Sequence, residues 1–205
     1  LSNNNGETVI MHLTHHNALD QLRMLQDNPN FESSVKKQDN DGQNALFYIG
    51  SEKESRTQID IARILTDAAP ELFDQQHKMY WDSPLVSAIK HNNQPMIEFY
   101  LEKKPQLIEK KHKDSNGQAT KTTLMELAAA GNVATLKIIK EWPCFEWLNR
   151  QKSLGKSATD VVNFYKDTTQ KKIDAQTDPV EKEPLEKQYK KLVAFADELS
   201  KTTTL

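Results

Sequence analysis

Apolar residues recur at helical spacing in a series of short runs along most of the 205-residue chain. Ile97, Tyr100 and Leu101 are one example, because residues at i, i+3 and i+4 lie on one face of a helix. A proline follows each of four such runs and cannot continue the hydrogen-bond ladder of a helix. These prolines are Pro29, Pro70, Pro105 and Pro143. The pattern predicts short helices that end at nearly regular intervals.

A small polar residue followed by the start of an apolar helix recurs five times. The copies read Gly6-Glu7-Thr8-Val9-Ile10, Asn44-Ala45-Leu46, Ser83-Pro84-Leu85, Thr122-Thr123-Leu124 and Ser157-Ala158-Thr159. Aligned on their last residues, successive copies are 36, 39, 39 and 35 residues apart. Each unit is predicted to contain a turn, a short helix, a second turn and a second helix. Because no unit of this size can bury its apolar face alone, the units are expected to stack.

The period and three local motifs resemble the ankyrin repeat, whose period is about 33 residues. Ser83-Pro84-Leu85-Val86-Ser87-Ala88 resembles the Thr-Pro-Leu-His-x-Ala signature. Asp39-Asn40-Asp41-Gly42 resembles the turn that opens a repeat, and Leu127-Ala128-Ala129-Ala130-Gly131-Asn132 resembles the junction between its helices. The signature histidine is absent from every copy. The resemblance implies an all-α ankyrin-repeat solenoid of about five helix-turn-helix units with a C-terminal capping helix.

The resemblance also sets the predicted boundaries. The array covers 3–167, and its repeats are placed at about 3–38, 39–77, 78–113, 114–151 and 152–167. Residues 168–205 are predicted to be a polar linker followed by an amphipathic helix from about Pro184 to Ser200. That helix is expected to cover the last repeat around Val161, Val162 and Phe164, with a link to a downstream domain as the alternative.

Composition excludes several classes of protein. Lysine plus arginine number 27 and aspartate plus glutamate 29, which argues against a nucleic-acid-binding domain driven by bulk positive charge. Cys144 is the sole cysteine and no Asn-x-Ser/Thr sequon is present, which favours a cytoplasmic protein. No apolar run approaches the 18 residues of a membrane span. The chain begins with Leu1 rather than Met, so we expect a fragment of a longer protein. We also expect a monomer.

Two motifs that suggest chemistry are each incomplete. Gly155-Lys156-Ser157 resembles the end of a phosphate-binding P-loop, but Arg150 stands where that loop requires glycine. His12 and His16 have the i, i+4 spacing of zinc ligands, but Leu13 replaces the glutamate of a metalloprotease. We therefore expect no catalytic residues, no cofactor and no metal.

In the ankyrin family, turn tips and inner helices form a concave groove that binds proteins, and the resemblance implies the same use here. The residues predicted to bind a partner are Asn40, Asp41, Gln43, Glu52, Met79, Tyr80, Trp81, Asp82, Lys90, His91 and Asn116. Tyr80 and Trp81 are prominent because aromatic side chains anchor protein interfaces. A second interpretation of Trp81 is that it fills a gap between neighbouring turns.

Two functions are consistent with these features. The first is a protein-protein interaction module without chemistry of its own, and the alternative is the substrate-recruiting part of a larger enzyme. A purely intramolecular spacer is a third, weaker interpretation. Degenerate repeats and a bias toward Lys, Asn and Gln resemble ankyrin effectors that intracellular bacteria inject into host cells. This resemblance implies a host protein as partner and the host cytosol as the working compartment.

Overall fold

The computed structural model of the chain describes residues 2–49, 56–79, 82–113, 119–142, 145 and 156–201. Most of these residues are helical, which confirms the predicted all-α class. The chain divides into two compact units, Leu1–Ala119 and Thr120–Leu205. In the described part of the chain, no helix is both long and apolar enough to span a bilayer.

The first unit consists of short helices and one short strand. Its described elements are α1 (Val9–His15), α2 (Leu19–Gln26), α3 (Phe31–Val35), the 3-10 helix η1 (Ala45–Ile49), α4 (Arg56–Ala68), the 3-10 helix η2 (Pro70–Asp74), α5 (Pro84–Lys90), α6 (Gln94–Lys103), the 3-10 helix η3 (Pro105–Glu109) and strand β1 (Lys111–Lys113). α1 packs against η1, and η1 packs against α5; we refer to these three as the inner helices. α2 packs against α4, and α4 packs against α6; we refer to these three as the outer helices.

The second unit is built around two long helices. Its described elements are α7 (Thr123–Ala130), α8 (Val133–Lys140), α9 (Ala158–Ala175) and α10 (Pro179–Ser200), and the short strand β2 (Ala119–Thr122) leads into α7. Helices α9 and α10 pack along each other, and α10 also packs against α7 and α8. Leu192, Phe195 and Leu199 of α10 are buried there.

The small polar residue that opens a copy of the repeat is an α-helix N-cap in four of the five copies. The hydroxyl of Ser83 accepts a hydrogen bond from the backbone N–H of Val86 at 3.3 Å. Thr8, Thr122 and Ser157 cap α1, α7 and α9 in the same way. The repeat period therefore measures the spacing of caps, which satisfy backbone donors that a helix cannot satisfy itself.

The aligned apolar residue two positions after each cap enters the core in four copies. Ile10, Leu46, Leu85 and Leu124 are buried, whereas Thr159, their fifth counterpart, is exposed. The fifth copy therefore keeps the cap but not the core residue. It opens α9, a helix of 18 residues, rather than a short helix followed by a turn.

The junctions between paired helices share one backbone geometry. A residue with positive φ lies at each of three junctions, and these residues are Asn17, Asn92 and Gly131. The residue after each donates its N–H to the carbonyl oxygen five residues earlier, as Asn93 does to Ala88 at 2.9 Å. This is the Schellman pattern, in which glycine or asparagine adopts the left-handed conformation that ends a helix.

Most of the residues predicted to form a polar linker are helical. Helix α9 continues to Ala175, and α10 begins at Pro179 rather than near Pro184. The side chain of Asp178 caps α10 by accepting from the N–H of Val180 at 2.8 Å. Pro179 occupies the first position, where a missing N–H costs little, so it starts the helix instead of breaking it.

The residues expected to meet α10 differ in their burial. Val162 of α9 is buried, whereas Phe164 is 57% exposed and does not enter the core as expected. Residues 162 and 164 point in different directions because successive helical residues are about 100° apart around the axis. Lys156 lies over the ring of Phe164, with its Nζ 5.5 Å from the ring centroid.

Candidate functional site

The predicted turn tips are held in shape by the side chain that opens each turn. Oδ1 of Asp39 accepts hydrogen bonds from the N–H groups of Asp41 at 2.9 Å and Gln43 at 2.8 Å. Asn3 accepts the equivalent pair of bonds from residues two and four positions later, both at 3.0 Å. The first two turns therefore share one conformation, fixed by side-chain bonds to the local backbone.

Backbone hydrogen bonds join neighbouring turns into a ladder. The N–H of Asn40 donates to the carbonyl of Asn5 at 2.9 Å, and the N–H of Lys78 donates to the carbonyl of Asp41 at 2.9 Å. Gly6 has a φ of +80°, and a Cβ atom there would lie 2.7 Å from Oδ1 of Asn40. The close stacking of turns thus requires glycine at this position.

A cleft lies beside this ladder on the inner side of the first unit. Its volume is about 260 Å³, and we refer to it as the turn cleft; it is lined by Gln43, Phe47, His77, Asp82, Ser87, Lys90 and His91. Four of these residues, Gln43, Asp82, Lys90 and His91, belong to the set predicted to bind a partner. The structure therefore brings together residues that are up to 48 positions apart in the chain.

An ion pair and a fixed imidazole shape one wall of the turn cleft. Nζ of Lys90 lies 2.5 Å from Oδ2 of Asp82, and the lysine side chain remains 45% exposed. Nδ1 of His91 lies 2.9 Å from the carbonyl oxygen of Ser87. Because a carbonyl can only accept, the proton of His91 is on Nδ1 and its Nε2 lies on the opposite edge of the ring.

His77 lines the cleft at the third turn, and Met79 follows two residues later in the same turn. The backbone N–H of Met79 donates to Nδ1 of His77 at 3.1 Å, so His77 carries its proton on Nε2. The Met79 side chain is 63% exposed, in agreement with its predicted position at a turn tip. The floor of the cleft is Phe47, which is nearly buried.

A second cluster of polar side chains lies on the inner helices of the first two copies. The hydroxyl of Tyr48 donates to Oδ2 of Asp39 at 2.8 Å, and the His15 ring contacts the Tyr48 ring edge-on at a centroid distance of 6.3 Å. Burial raises the pKa of Tyr48, and the hydrogen bond to Asp39 raises it further. Tyr48 therefore remains a neutral donor under all ordinary conditions.

Sequence reasoning missed Phe47, Tyr48, His77 and Ser87. Tyr48 and Ser87 each lie four positions after the cap of their copy, as His12 does in the first copy. That shared register was the available signal, because equivalent positions of stacked repeats line the same surface. His77 had no such signal, since it lies in a turn of irregular length.

Several predicted binding residues are not in the turn cleft. Asn40 and Asp41 are exposed at the second turn tip, where Nδ2 of Asn40 donates to the carbonyl of Asn4 at 3.0 Å. Glu52, Tyr80, Trp81 and Asn116 lie outside the described residues, so their predicted roles are not tested.

The motifs that suggested chemistry have structural roles where they are described. Ser157 caps α9, and its hydroxyl and N–H also donate to the carboxylate of Asp160 at 2.7 Å. His12 lies 3.2 Å from the carboxylate of Glu7, which makes a single pair rather than a ligand set. Among the described residues, no three His, Cys, Asp or Glu side chains are arranged to hold a metal ion.

Comparison with known proteins does not assign the chain to a family. No protein-family model matches its sequence, and no curated protein matches it either.

Proposed function

We propose that the first unit is an ankyrin-like repeat stack that binds a partner protein through its turn tips and inner helices. Support for the repeat comes from features that recur at one register. The N-caps and the left-handed junction residues recur in the first and third copies, and backbone hydrogen bonds join the first three turns in succession. Local features of this kind are expected when one supersecondary unit is repeated along a chain.

The observation that carries the binding proposal is the turn cleft. It collects four predicted residues from two turns and one inner helix around a nearly buried aromatic floor. Its walls offer an ammonium, a carboxylate, an imidazole and amide groups, all on a framework fixed by backbone hydrogen bonds. A rigid surface with an apolar centre and a polar rim is typical of protein interfaces.

Affinity capture with matched variants tests this function. The full chain is immobilised and exposed to mammalian cell lysate, since the resemblance to bacterial ankyrin effectors implies a host protein as partner. We expect a discrete partner whose affinity falls at least about tenfold when Met79 and His91 are both replaced by Ala. The control is Lys103→Ala, which changes an exposed residue at the end of outer helix α6.

Two outcomes would contradict the proposal. If Lys103→Ala weakens capture and the Met79→Ala, His91→Ala variant does not, the partner binds another face. Circular dichroism of each variant confirms that the fold is retained. A chain that captures no protein above the level of an unrelated control would also contradict this function.

A further inference from the structure

The walls of the turn cleft provide more cationic and N–H donors than carboxylates. Lys90 has three N–H donors, and the carboxylate of Asp82 takes one of them at 2.5 Å. Gln43 adds a side-chain amide and Ser87 adds a hydroxyl. Among the described residues that line the cleft, Asp82 is the single carboxylate.

A lysine that already contacts one carboxylate can hold a second, and the first unit contains an example. Nζ of Lys36 lies 2.5 Å from Glu32 and 3.0 Å from Glu71. These two bonds raise the pKa of Lys36, because each stabilises the charged ammonium. The Lys90 side chain is 45% exposed, compared with 40% for Lys36, so its pairing with Asp82 leaves room for another acidic group.

We propose that the turn cleft binds the carboxylate of an Asp or Glu side chain in the partner polypeptide, next to an apolar residue that packs toward Phe47. This inference rests on the proposed function and names the chemistry of its partner. Lys90 is the principal donor, and His91 lies directly after it at the end of α5. Charge-assisted hydrogen bonds of this type favour acidic over amide side chains, which gives the site its selectivity.

A peptide library identifies the preferred ligand without knowledge of the natural partner. A random dodecamer library displayed on phage is selected against the immobilised full chain, and enriched peptides are resynthesised for calorimetry. We expect an Asp or Glu beside an apolar residue in the enriched set. Replacement of that acidic residue by its amide should weaken binding about tenfold.

Protein variants locate the contact. Lys90→Gln should weaken the acidic peptide about tenfold and leave the amide peptide nearly unchanged, since both changes remove the same interaction. Lys103→Gln should leave both affinities unchanged. Because the amide substitution is made in the peptide, the comparison stays informative even if a cleft variant is less stable.

The possible failures separate the two proposals. Peptides that lose affinity with Met79→Ala or His91→Ala, but lack an acidic residue or are indifferent to Lys90→Gln, would overturn the acidic-ligand inference and leave the proposed function intact. Peptides that respond to none of these variants, or the absence of any enriched peptide, would overturn both.

Discussion

The two units of the chain reach a helical fold by different means. Described α-helices in the first unit have 5 to 13 residues, whereas the second unit contains helices of 18 and 22 residues. Isolated helices shorter than about 12 residues are marginal in water, so the first unit depends on caps, junctions and stacking. The second unit depends on a long pairing of α9 with α10.

This difference determines where each unit is vulnerable. In the first unit, stabilising contacts are spread over repeated local motifs, each of which contributes a small amount. In the second, a single helix covers three others and supplies Leu192, Phe195 and Leu199 to the core. We therefore expect single changes to be more severe in the second unit than at equivalent positions in the first.

The largest effect should come from removal of α10. A chain that ends at Gln176 would expose the apolar surfaces of α7, α8 and α9 that α10 covers. We expect the backbone amides of these helices to lose most of their protection, measured by hydrogen exchange with mass spectrometry. A chain lacking only residues 202–205 is the control. Undiminished protection in the shorter chain would show that α10 is not part of this core.

The second-largest loss of stability should come from a methyl group added at a helix junction of the second unit. Gly131 has a φ of +64°, and a Cβ there would lie 3.0 Å from the backbone carbonyl carbon of Lys191 in α10. Gly131→Ala should cost about 3 kcal/mol, because backbone strain and steric overlap add. Asn17→Ala, at the equivalent junction of the first unit, should cost about 1 kcal/mol.

Urea denaturation followed by circular dichroism measures both of these variants. Equal losses of stability would show that α10 shifts readily away from residue 131. In that case, the junction at Gly131 would be no more sensitive to substitution than the junction at Asn17.

A third effect concerns the turns of the first unit. Asp39 is buried and accepts hydrogen bonds from two backbone N–H groups and the Tyr48 hydroxyl. Asp39→Ala should cost about 2–3 kcal/mol, because three donors lose their acceptor. Asn3→Ala, in the exposed first turn, should cost about 1 kcal/mol or less. Thermal denaturation provides the comparison, and Asp39→Asn is the conservative control because it retains Oδ1.

The smallest effect on stability should come from the loss of an ion pair. In the second unit, hydrogen bonds from Lys140 and then Lys201 lower the pKa of Glu198. A carboxyl whose pKa is lower in the folded state stabilises the protein above its unfolded value, near 4.3, and loses that contribution as pH falls through the folded value. The difference in melting temperature between the wild-type chain and Lys140→Gln should therefore narrow from pH 7 to pH 3.

Asp74 offers the matching measurement in the first unit. Burial raises the pKa of Asp74, but hydrogen bonds from Lys104 and Lys110 outweigh burial and lower it. Asp74→Asn should likewise lose its effect on melting temperature as pH falls below about 4. A pH-independent difference for either variant would mean that side-chain packing, rather than charge, accounts for it.

The sequence determined the local elements of this protein. The positions of Thr8, Ser83 and Ser157 predicted helix starts, because a cap acts on backbone groups only three residues away. Pro70 and Pro105 each begin a 3-10 helix directly after an outer helix, as expected of a residue that ends helical hydrogen bonding. The resemblance to ankyrin repeats predicted that Lys90 and His91 face one groove, and both line the turn cleft.

Tertiary structure alone decided the long contacts. The predicted start of the terminal helix near Pro184 was too late, because Pro184 lies inside α10, where packing on three other helices outweighs the hydrogen bond that proline cannot donate. The turn cleft likewise depends on stacking, since Gln43, His77 and His91 meet only when separate turns join through backbone bonds. Sequence patterns report interactions within a few residues, whereas burial between distant segments depends on the whole packed unit.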